Sequence, residues 1–161
     1  MVIAHVGLGA NLGDAPATLR SAIQALEKLP QTRLLAASRL YRTAAWGRTD
    51  QPDFVNAAAT LETGLGPEAL LDALLALERD HGRERTEGER WGPRTLDLDI
   101  LLIDEQCLDL PRLQVPHPHL HERVFALAPL AEIAPDAVIP GHGTVKAALA
   151  RIRAGEQLPI G

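Results

Sequence analysis

Hydrophobic residues occur along the chain in two patterns, short continuous runs and helical spacing, and each pattern predicts a different kind of element. The apolar, β-branched run Val2–Gly9 predicts a buried strand. Leucine and isoleucine at three- or four-residue spacing from Leu19 to Leu29 predict a helix that Pro30 ends. Further strands are predicted over Arg33–Thr43, Phe54–Glu62 and Leu96–Ile103. Further helices are predicted from Pro67 to Glu78, over Glu122–Ile133 with an interruption at Pro129, and over Thr144–Arg153.

The order strand–helix–strand–strand–helix–strand, followed by a C-terminal extension, indicates an α+β fold. We expect a ferredoxin-like α/β sandwich, in which a mainly antiparallel sheet is flanked by helices. Residues 44–53 and 82–93 are predicted loops, and Pro111–Pro118 is predicted to be extended. No internal repeat, linker or low-complexity tract divides the chain, so residues 1–161 are predicted to form a single domain.

Composition narrows the class of protein. The 161 residues are 46% hydrophobic and 23% charged, which is typical of a globular domain. No apolar run reaches the roughly 18 residues of a membrane helix, and the net charge of −5 gives no support to nucleic-acid binding. The single cysteine, Cys107, excludes a disulfide framework and favours a cytoplasmic location.

The segment Asp97-Leu98-Asp99 carries the sharpest chemical signal. Alternate residues of a strand share a face, so both carboxylates are predicted to point one way while Leu98 and its apolar neighbours point the other. Two adjacent carboxylates disfavour joint ionisation unless a cation lies between them. Mg²⁺ takes one or two protein carboxylates together with substrate phosphates, so a magnesium site is the favoured interpretation over a solvated strand face.

Arginines precede this pair along the chain. Two of the 16 basic residues are lysines, and the arginines include Arg83, Arg85 and Arg90 of the polar loop and Arg94 behind Pro93. Arginines beside a two-carboxylate strand suit phosphoryl transfer. Each loop arginine could equally pair with a glutamate of the same loop, and a compositional bias would also give many arginines.

Two other motifs are weaker. The run Gly7-Leu-Gly9-Ala-Asn11-Leu-Gly13 follows a strand, but it has leucine where a dinucleotide fingerprint has its third glycine, so it favours a tight turn near a ligand. His117, His119 and His121 would share a face of an extended segment, as zinc ligands can. The alternating prolines have no side-chain group that could orient the histidine rings by hydrogen bonds, so a ligand contact by His117 alone is favoured.

Aromatic residues are only 3% of the chain, so the positions of the few rings are informative. Phe54, Phe125, Trp46 and Trp91 all stand at loop edges. Four rings placed there favour a flat aromatic ligand, although ordinary packing is the alternative for any one of them.

The motif Trp91-Gly-Pro-Arg94-Thr-Leu-Asp97-Leu-Asp99 resembles the signature of the 6-hydroxymethyl-7,8-dihydropterin pyrophosphokinase family of folate biosynthesis. The segments Gly7–Gly13, Gln51–Asn56, Glu78–Arg85 and Val115–Phe125 resemble that family in the same order. The chain departs from the family at Ala44 and Ala45, where relatives often carry proline.

The resemblance implies transfer of pyrophosphate from ATP to the pterin hydroxymethyl group, giving AMP, in a monomeric cytoplasmic enzyme whose partners are its two small-molecule substrates. It implies two Mg²⁺ ions held by Asp97 and Asp99, and catalytic roles for these residues together with Arg83 and Arg94. The residues that it places at ATP are Leu71, Glu78, Arg83, Arg85, Trp91, Ile100, Arg112, His117 and Arg123. Those that it places at the pterin are Gly9, Thr43, Ala44, Trp46, Phe54, Asn56, Trp91 and Phe125, with the two phenylalanines on either side of the ring.

Two other classes of protein are compatible with parts of the pattern. A non-catalytic ferredoxin-like binding module would give no reason for the paired aspartates. A nucleotide-sugar transferase with an Asp-x-Asp motif would need a longer chain with a Rossmann half. Release of AMP in a Mg²⁺-dependent reaction distinguishes the pyrophosphokinase from both.

Overall fold

A computed structural model describes residues 1–43, 53–81 and 96–156. Its central sheet contains β1 (Val2–Ala10), β2 (Thr32–Ala37), β3 (Tyr41–Thr43), β4 (Phe54–Thr63) and β5 (Asp97–Ile103). The helices are α1 (Ala15–Glu27), α2 (Pro67–Asp80), α3 (Val124–Ile133) and α4 (Val145–Glu156). The hairpins β6 (Leu108–Leu110) with β7 (Leu113–Val115), and β8 (Val138–Ile139) with β9 (Gly143–Thr144), flank a 3-10 turn at Leu120–Glu122.

The sheet has the strand order β2–β4–β1–β5, and β3 also pairs with β4. Every pairing in it is antiparallel. With β2 and β3 counted as one strand, the order of the βαββαβ unit is second, third, first, fourth. This is the ferredoxin-like sandwich predicted from the order of elements.

The two faces of the sheet are covered by different helices. Residues of alternate positions on β1, β4 and β5 form one apolar cluster with α1 and α2. The opposite face forms a second cluster with α3, α4 and the 3-10 turn, centred on Ala58 and Leu101. The C-terminal extension therefore covers part of one sheet face, and each apolar row follows the strand period of two. None of the described helices is long and apolar enough to cross a bilayer.

The predicted strand Arg33–Thr43 is wrong in one respect, because it is divided into β2 and β3. The division lies at Ser38, whose backbone N–H donates to the carbonyl oxygen of Ala58 at 2.8 Å. The Ser38 hydroxyl accepts the N–H of Ala58 at 2.9 Å, in the place of a backbone carbonyl. A side chain thus satisfies the ladder where the strand kinks, so the division costs no buried hydrogen bond.

The C-terminal helices also differ from expectation. The predicted interruption at Pro129 is wrong, since α3 runs through it to Ile133. A proline inside a helix removes one hydrogen bond. Here Pro129 is buried among apolar residues, and packing of Leu127 and Leu130 in the second cluster stabilises the continuous helix. The predicted extended segment Pro111–Pro118 is partly a hairpin, β6–β7.

Candidate active site

One half of the second sheet face is not covered by the C-terminal helices. Ala58 and Leu101 are buried beneath α3 and α4. Farther along the same strands, Gly9, Asn56 and Asp97 are half-buried and Asp99 is exposed. Asn56 lies two positions from Ala58, and the aspartates lie four and two positions from Leu101. Residues two apart on a strand point to the same face, so these side chains project from the face that carries Ala58 and Leu101. We call this uncovered half, with Phe54 at its end, the open face.

The register of the strands places glycine at the centre of the open face. Gly9 pairs with Asn56 on β4 and with Asp97 on β5, and Gly7 pairs with Asp99. A Cβ atom at Gly9 would lie 2.9 Å from Oδ1 of Asn56, closer than van der Waals contact. Glycine at this position therefore leaves room for the Asn56 carboxamide. It also leaves no side chain at the centre of the open face, between the Asn56 amide and the two aspartate carboxylates.

The two aspartates occupy alternate positions at the start of β5. Leu98 and Ile100 are 5% and 4% exposed and pack in the opposite cluster, which agrees with the predicted division of faces. Among the described residues, no group of three or more histidine, cysteine, aspartate or glutamate side chains is placed to hold a metal. A pair of carboxylates is nevertheless the donor set that Mg²⁺ takes when phosphates complete its coordination. The residues present therefore fit Mg²⁺ bound together with a nucleotide.

Backbone hydrogen-bonding groups on the outer edge of β5 find partners in a side chain and in a loop. Leu98, between the aspartates, donates its backbone N–H to Oε2 of Glu78 at 2.8 Å. Glu78 is 5% exposed and lies near the end of α2. The backbone N–H of His117 donates to the carbonyl oxygen of Leu101 at 3.0 Å. These contacts fix α2 and the segment after β7 against the aspartate strand.

His117, Arg123 and Phe125 form a connected group beside this strand. Arg123 donates from Nη1 to Nε2 of His117 at 3.3 Å, and its Cζ lies 5.1 Å from the centroid of the Phe125 ring. Because arginine only donates, the neutral His117 ring carries its proton on Nδ1. Burial lowers the pKa of His117; Asp99 acts against the shift, and Arg123 adds to it. Nδ1 is buried and has no hydrogen-bond partner within the described ranges.

The two phenylalanines are unusually accessible. Phe54 is 40% exposed and Phe125 is 43% exposed. Phe54 begins β4 and pairs with Thr43, and Phe125 lies in the first turn of α3. Their exposure contradicts the alternative that they are ordinary core residues. Exposed rings beside a partly polar face are typical of ligand contacts.

Three other predicted residues lie on the α2 side. Leu71 is half-buried on α2, and the side chain of Ile100 faces the core, so contact of Ile100 with a ligand would have to use its backbone. Arg112 is exposed and donates to Oδ1 of Asp72 at 2.5 Å. This hydrogen bond raises the pKa of Arg112 above its usual value.

The three histidines do not converge on one point. His117 contacts Arg123, and Nδ1 of His119 lies 3.0 Å from Oε1 of Glu122. The ring of His121 stacks on that of His142, with centroids 3.7 Å apart and planes 7° from parallel. The 3-10 turn that begins at Leu120 is the reason, because it removes the extended geometry in which the three would share a face.

Some predicted site residues lie outside the residues that the structure describes. They are Ala44, Trp46, Arg83, Arg85, Trp91 and Arg94.

Asn11 was singled out by the sequence only as part of a turn. It is 1% exposed, and neither Oδ1 nor Nδ2 of its carboxamide has a hydrogen-bond partner within the described ranges. It directly follows β1, two residues beyond Gly9. An unpartnered buried amide is costly and often marks a functional position. Burial, the signal that reveals it, is visible only in the structure.

The chain is similar to proteins of one family along most of its length. A profile of the family described as 7,8-dihydro-6-hydroxymethylpterin-pyrophosphokinase (HPPK) matches residues 5–135. A Pseudomonas aeruginosa protein named 2-amino-4-hydroxy-6-hydroxymethyldihydropteridine pyrophosphokinase is 54% identical over 136 residues, which are 84% of this chain and 83% of that protein. A Pseudomonas putida protein of the same name is 57% identical over 118 residues, 73% of this chain and 96% of that protein.

Solved structures show the same fold at much lower sequence identity. A crystal structure of wild-type Plasmodium falciparum HPPK-DHPS matches 99% of this chain with a TM-score of 0.74 and 16% identity. The matched region is 46% of that longer chain, so this protein spans slightly less than half of it.

Proposed function

The chain belongs to the 7,8-dihydro-6-hydroxymethylpterin-pyrophosphokinase family, and on that premise we propose that the open face is its active site. The reaction is the transfer of pyrophosphate from ATP to the hydroxymethyl group of 6-hydroxymethyl-7,8-dihydropterin, a step of folate biosynthesis that gives AMP and the pterin diphosphate. One observation supports the assignment above others. Gly9 pairs with Asn56 on one side and with Asp97 on the other, so an amide and a carboxylate lie on either side of a residue without a side chain.

In this proposal the β5 side of the open face takes the phosphates. Asp97 and Asp99 would hold two Mg²⁺ ions, which when bound neutralise phosphate charge. Arg123, fixed between His117 and the Phe125 ring, would contact the phosphates together with Arg83, Arg85 and Arg94. Leu71, Glu78, Ile100, Arg112 and Trp91 complete the proposed ATP site.

The β4 side takes the pterin. Phe54 and Phe125 are accessible rings that would stack on its two faces. Asn56 and Thr43 would bond its polar edge, since a carboxamide and a hydroxyl both donate and accept. Gly9, Ala44, Trp46 and Trp91 are the other proposed pterin contacts. The hydroxymethyl oxygen would then face the β-phosphorus. As the bond between these two atoms forms, the bond from the β-phosphorus to the oxygen that bridges it to the α-phosphorus breaks, the hydroxyl proton passes to solvent and AMP leaves.

We also propose that residues 1–161 form one domain and act as a cytoplasmic monomer. β4 and β5 contribute to both apolar clusters, which is expected of a single core unit. The single cysteine suits a reducing compartment.

The test combines product analysis with matched aspartate variants. With Mg²⁺, ATP and the pterin, the wild type should release AMP, and Asp97→Asn and Asp99→Asn should each lower kcat by roughly a hundredfold or more. Asp109→Asn removes an exposed strand carboxylate away from the open face and should keep wild-type kcat and Mg²⁺ dependence. ADP as the product would overturn the reaction. AMP release that is unimpaired in both aspartate variants would overturn the assignment of the metal site.

A further inference from the structure

Glu132, near the end of α3, accepts hydrogen bonds from the segment that links β2 to β3. The hydroxyl of Tyr41 donates to Oε1 of Glu132 at 2.6 Å. The backbone N–H of Arg39 donates to Oε2 at 3.2 Å, and its Nε donates to Oε1 at 3.4 Å. A carboxylate with several donors is a strong link, because hydrogen bonds to charged groups are stronger than neutral ones.

The sheet end of this link lies on the strand that borders the proposed pterin pocket. Tyr41 pairs with Asn56 across β3 and β4, and Thr43 pairs with Phe54 two residues farther along. Tyr41 is half-buried and shares a strand face with Thr43. The tyrosine side chain therefore projects from the same short strand, β3, that carries the proposed pterin contact Thr43.

The helix end of the link is connected to the opposite wall. Glu132 and Phe125 are seven residues apart, close to two turns, so they lie on the same side of α3 about 10 Å apart along its axis. α3 packs against β4, β3 and β1. A bond that holds Glu132 on β3 therefore fixes both the height of α3 above the sheet and its rotation, and with them the position of Phe125.

We propose that Tyr41 and Glu132 are positioning residues that set the spacing between Phe125 and the β3–β4 edge, and so determine the affinity for the pterin without touching it. The inference rests on the proposed function, in which the pterin lies between Phe54 and Phe125. Apart from the bonds that Glu132 accepts from Tyr41 and Arg39, helix and edge are joined within the described residues by apolar packing, which is not directional. A short hydrogen bond supplies a defined distance and orientation.

The ionisation of both partners keeps the link formed around neutral pH. The hydrogen bond from Tyr41 lowers the pKa of Glu132. Burial, followed by the bond to Glu132, raises the pKa of Tyr41. Both pKa values move away from neutrality, so the carboxylate stays charged and the hydroxyl keeps its proton over the range in which the enzyme is assayed.

The sheet offers a matched control. Nη2 of Arg33 on β2 lies 3.3 Å from Oε1 of Glu62 at the other end of β4. The exposed fraction of the Glu62 side chain is 34%, compared with 26% for Glu132. Both pairs join an arginine of the β2–β3 segment to a glutamate, but the Glu62 pair is far from the open face.

The experiment compares steady-state kinetics and unfolding for Tyr41→Phe, Glu132→Ala, Glu132→Gln and Glu62→Ala. Tyr41→Phe and Glu132→Ala should raise KM for the pterin about tenfold while KM for ATP stays at its wild-type value. Glu132→Gln keeps an acceptor for the tyrosine hydroxyl and should recover most of the pterin affinity. Glu132→Ala already removes the bond from Tyr41, so adding Tyr41→Phe to it should raise KM for the pterin no further than Glu132→Ala alone. Glu62→Ala should leave both KM values unchanged.

Three outcomes would overturn the inference. They are an unchanged pterin KM in a destabilised Tyr41→Phe protein, an equal rise in KM for both substrates, and full additivity of the two changes. Phe54→Ala and Phe125→Ala separate this failure from that of the proposed function. If Phe54→Ala and Phe125→Ala leave the pterin KM unchanged, the proposed pterin site is wrong. If both phenylalanine variants raise the pterin KM and Tyr41→Phe does not, the proposed function stands and only the positioning role fails.

Discussion

The carboxylate of Glu78 accepts at 2.8 Å the backbone N–H of Leu98, the residue between Asp97 and Asp99. β5 is an edge strand, so this N–H points away from the sheet and would otherwise lack a partner. A glutamate at 5% exposure on α2 thus acts as a side-chain substitute for a further strand. The contact fixes the main chain that carries both proposed metal ligands.

Glu78→Ala should therefore destabilise the protein as well as lower its activity. Loss of an acceptor from a buried N–H costs about 1–3 kcal/mol, and this loss should appear in the free energy of unfolding measured with urea. Glu78→Gln retains an acceptor oxygen and should be less affected. Glu27→Ala removes an exposed glutamate at the end of α1 and should change stability by less than about 0.5 kcal/mol. Equal stability of all three variants would contradict a structural role for this contact.

The aromatic pair should affect one substrate and not the other. Phe54→Ala and Phe125→Ala each remove a stacking face and should weaken pterin binding by about tenfold or more, measured by titration calorimetry. Binding of a nonhydrolysable ATP analogue with Mg²⁺ should barely change.

Leu35→Ala provides the control for these phenylalanines, because Leu35 is a large hydrophobic residue on β2 with 44% exposure. It should leave both affinities unchanged. Similar losses for both ligands in the phenylalanine variants, with a lowered Tm, would mean that the rings support the fold and not the ligand.

Gly9→Ala should change binding more than stability. The added Cβ would lie 2.9 Å from Oδ1 of Asn56, the end of a side chain that can rotate away, and at the ordinary contact distance of 3.9 Å from the carbonyl oxygen of Val55. Displacement of the carboxamide should raise KM for the pterin by about tenfold, the effect of one lost hydrogen bond in a buried site. Gly66→Ala, where nothing lies within 4 Å of the new Cβ, should leave KM unchanged. An unaltered pterin KM in Gly9→Ala would argue against contact of Asn56 with the substrate.

His5 should make stability depend on pH. Burial lowers the pKa of His5 below the usual 6.5, while Asp104 partly opposes the shift. The unfolded chain therefore binds more protons than the folded protein between these two pKa values. The free energy of unfolding should fall as pH is lowered through 6.5, by at most about 1.4 kcal/mol per pH unit, and level off below the folded pKa.

The variant His5→Gln can still form a hydrogen bond with Thr60, the neighbour of Nδ1 at 2.9 Å, but it does not titrate. Its unfolding free energy should vary less between pH 7 and pH 5. His119→Gln, at an exposed position, should keep the wild-type dependence. An identical pH profile for wild type and His5→Gln would show that other groups cause the effect.

The sequence by itself determined the elements and the chemistry of individual residues. Short runs of apolar residues identified β1, β4 and β5 as buried strands. The spacing of Asp97 and Asp99 determined that they share a face, because alternate residues of a strand point the same way. The order of strands and helices was enough to predict the ferredoxin-like sheet, since short connections and antiparallel neighbours leave few alternatives.

The tertiary structure decided what depends on partners distant in the chain. The kink at Ser38 exists because its hydroxyl meets the backbone of Ala58, and α3 continues through Pro129 because packing against the sheet outweighs one missing hydrogen bond. The contacts of Glu78 with Leu98 and of Tyr41 with Glu132 join residues 20 and 91 positions apart. No local pattern encodes such a contact, because its geometry is set by how the helices pack on the sheet. The sequence therefore indicated which groups could react, and the tertiary structure alone determined which side chains hold those groups in place.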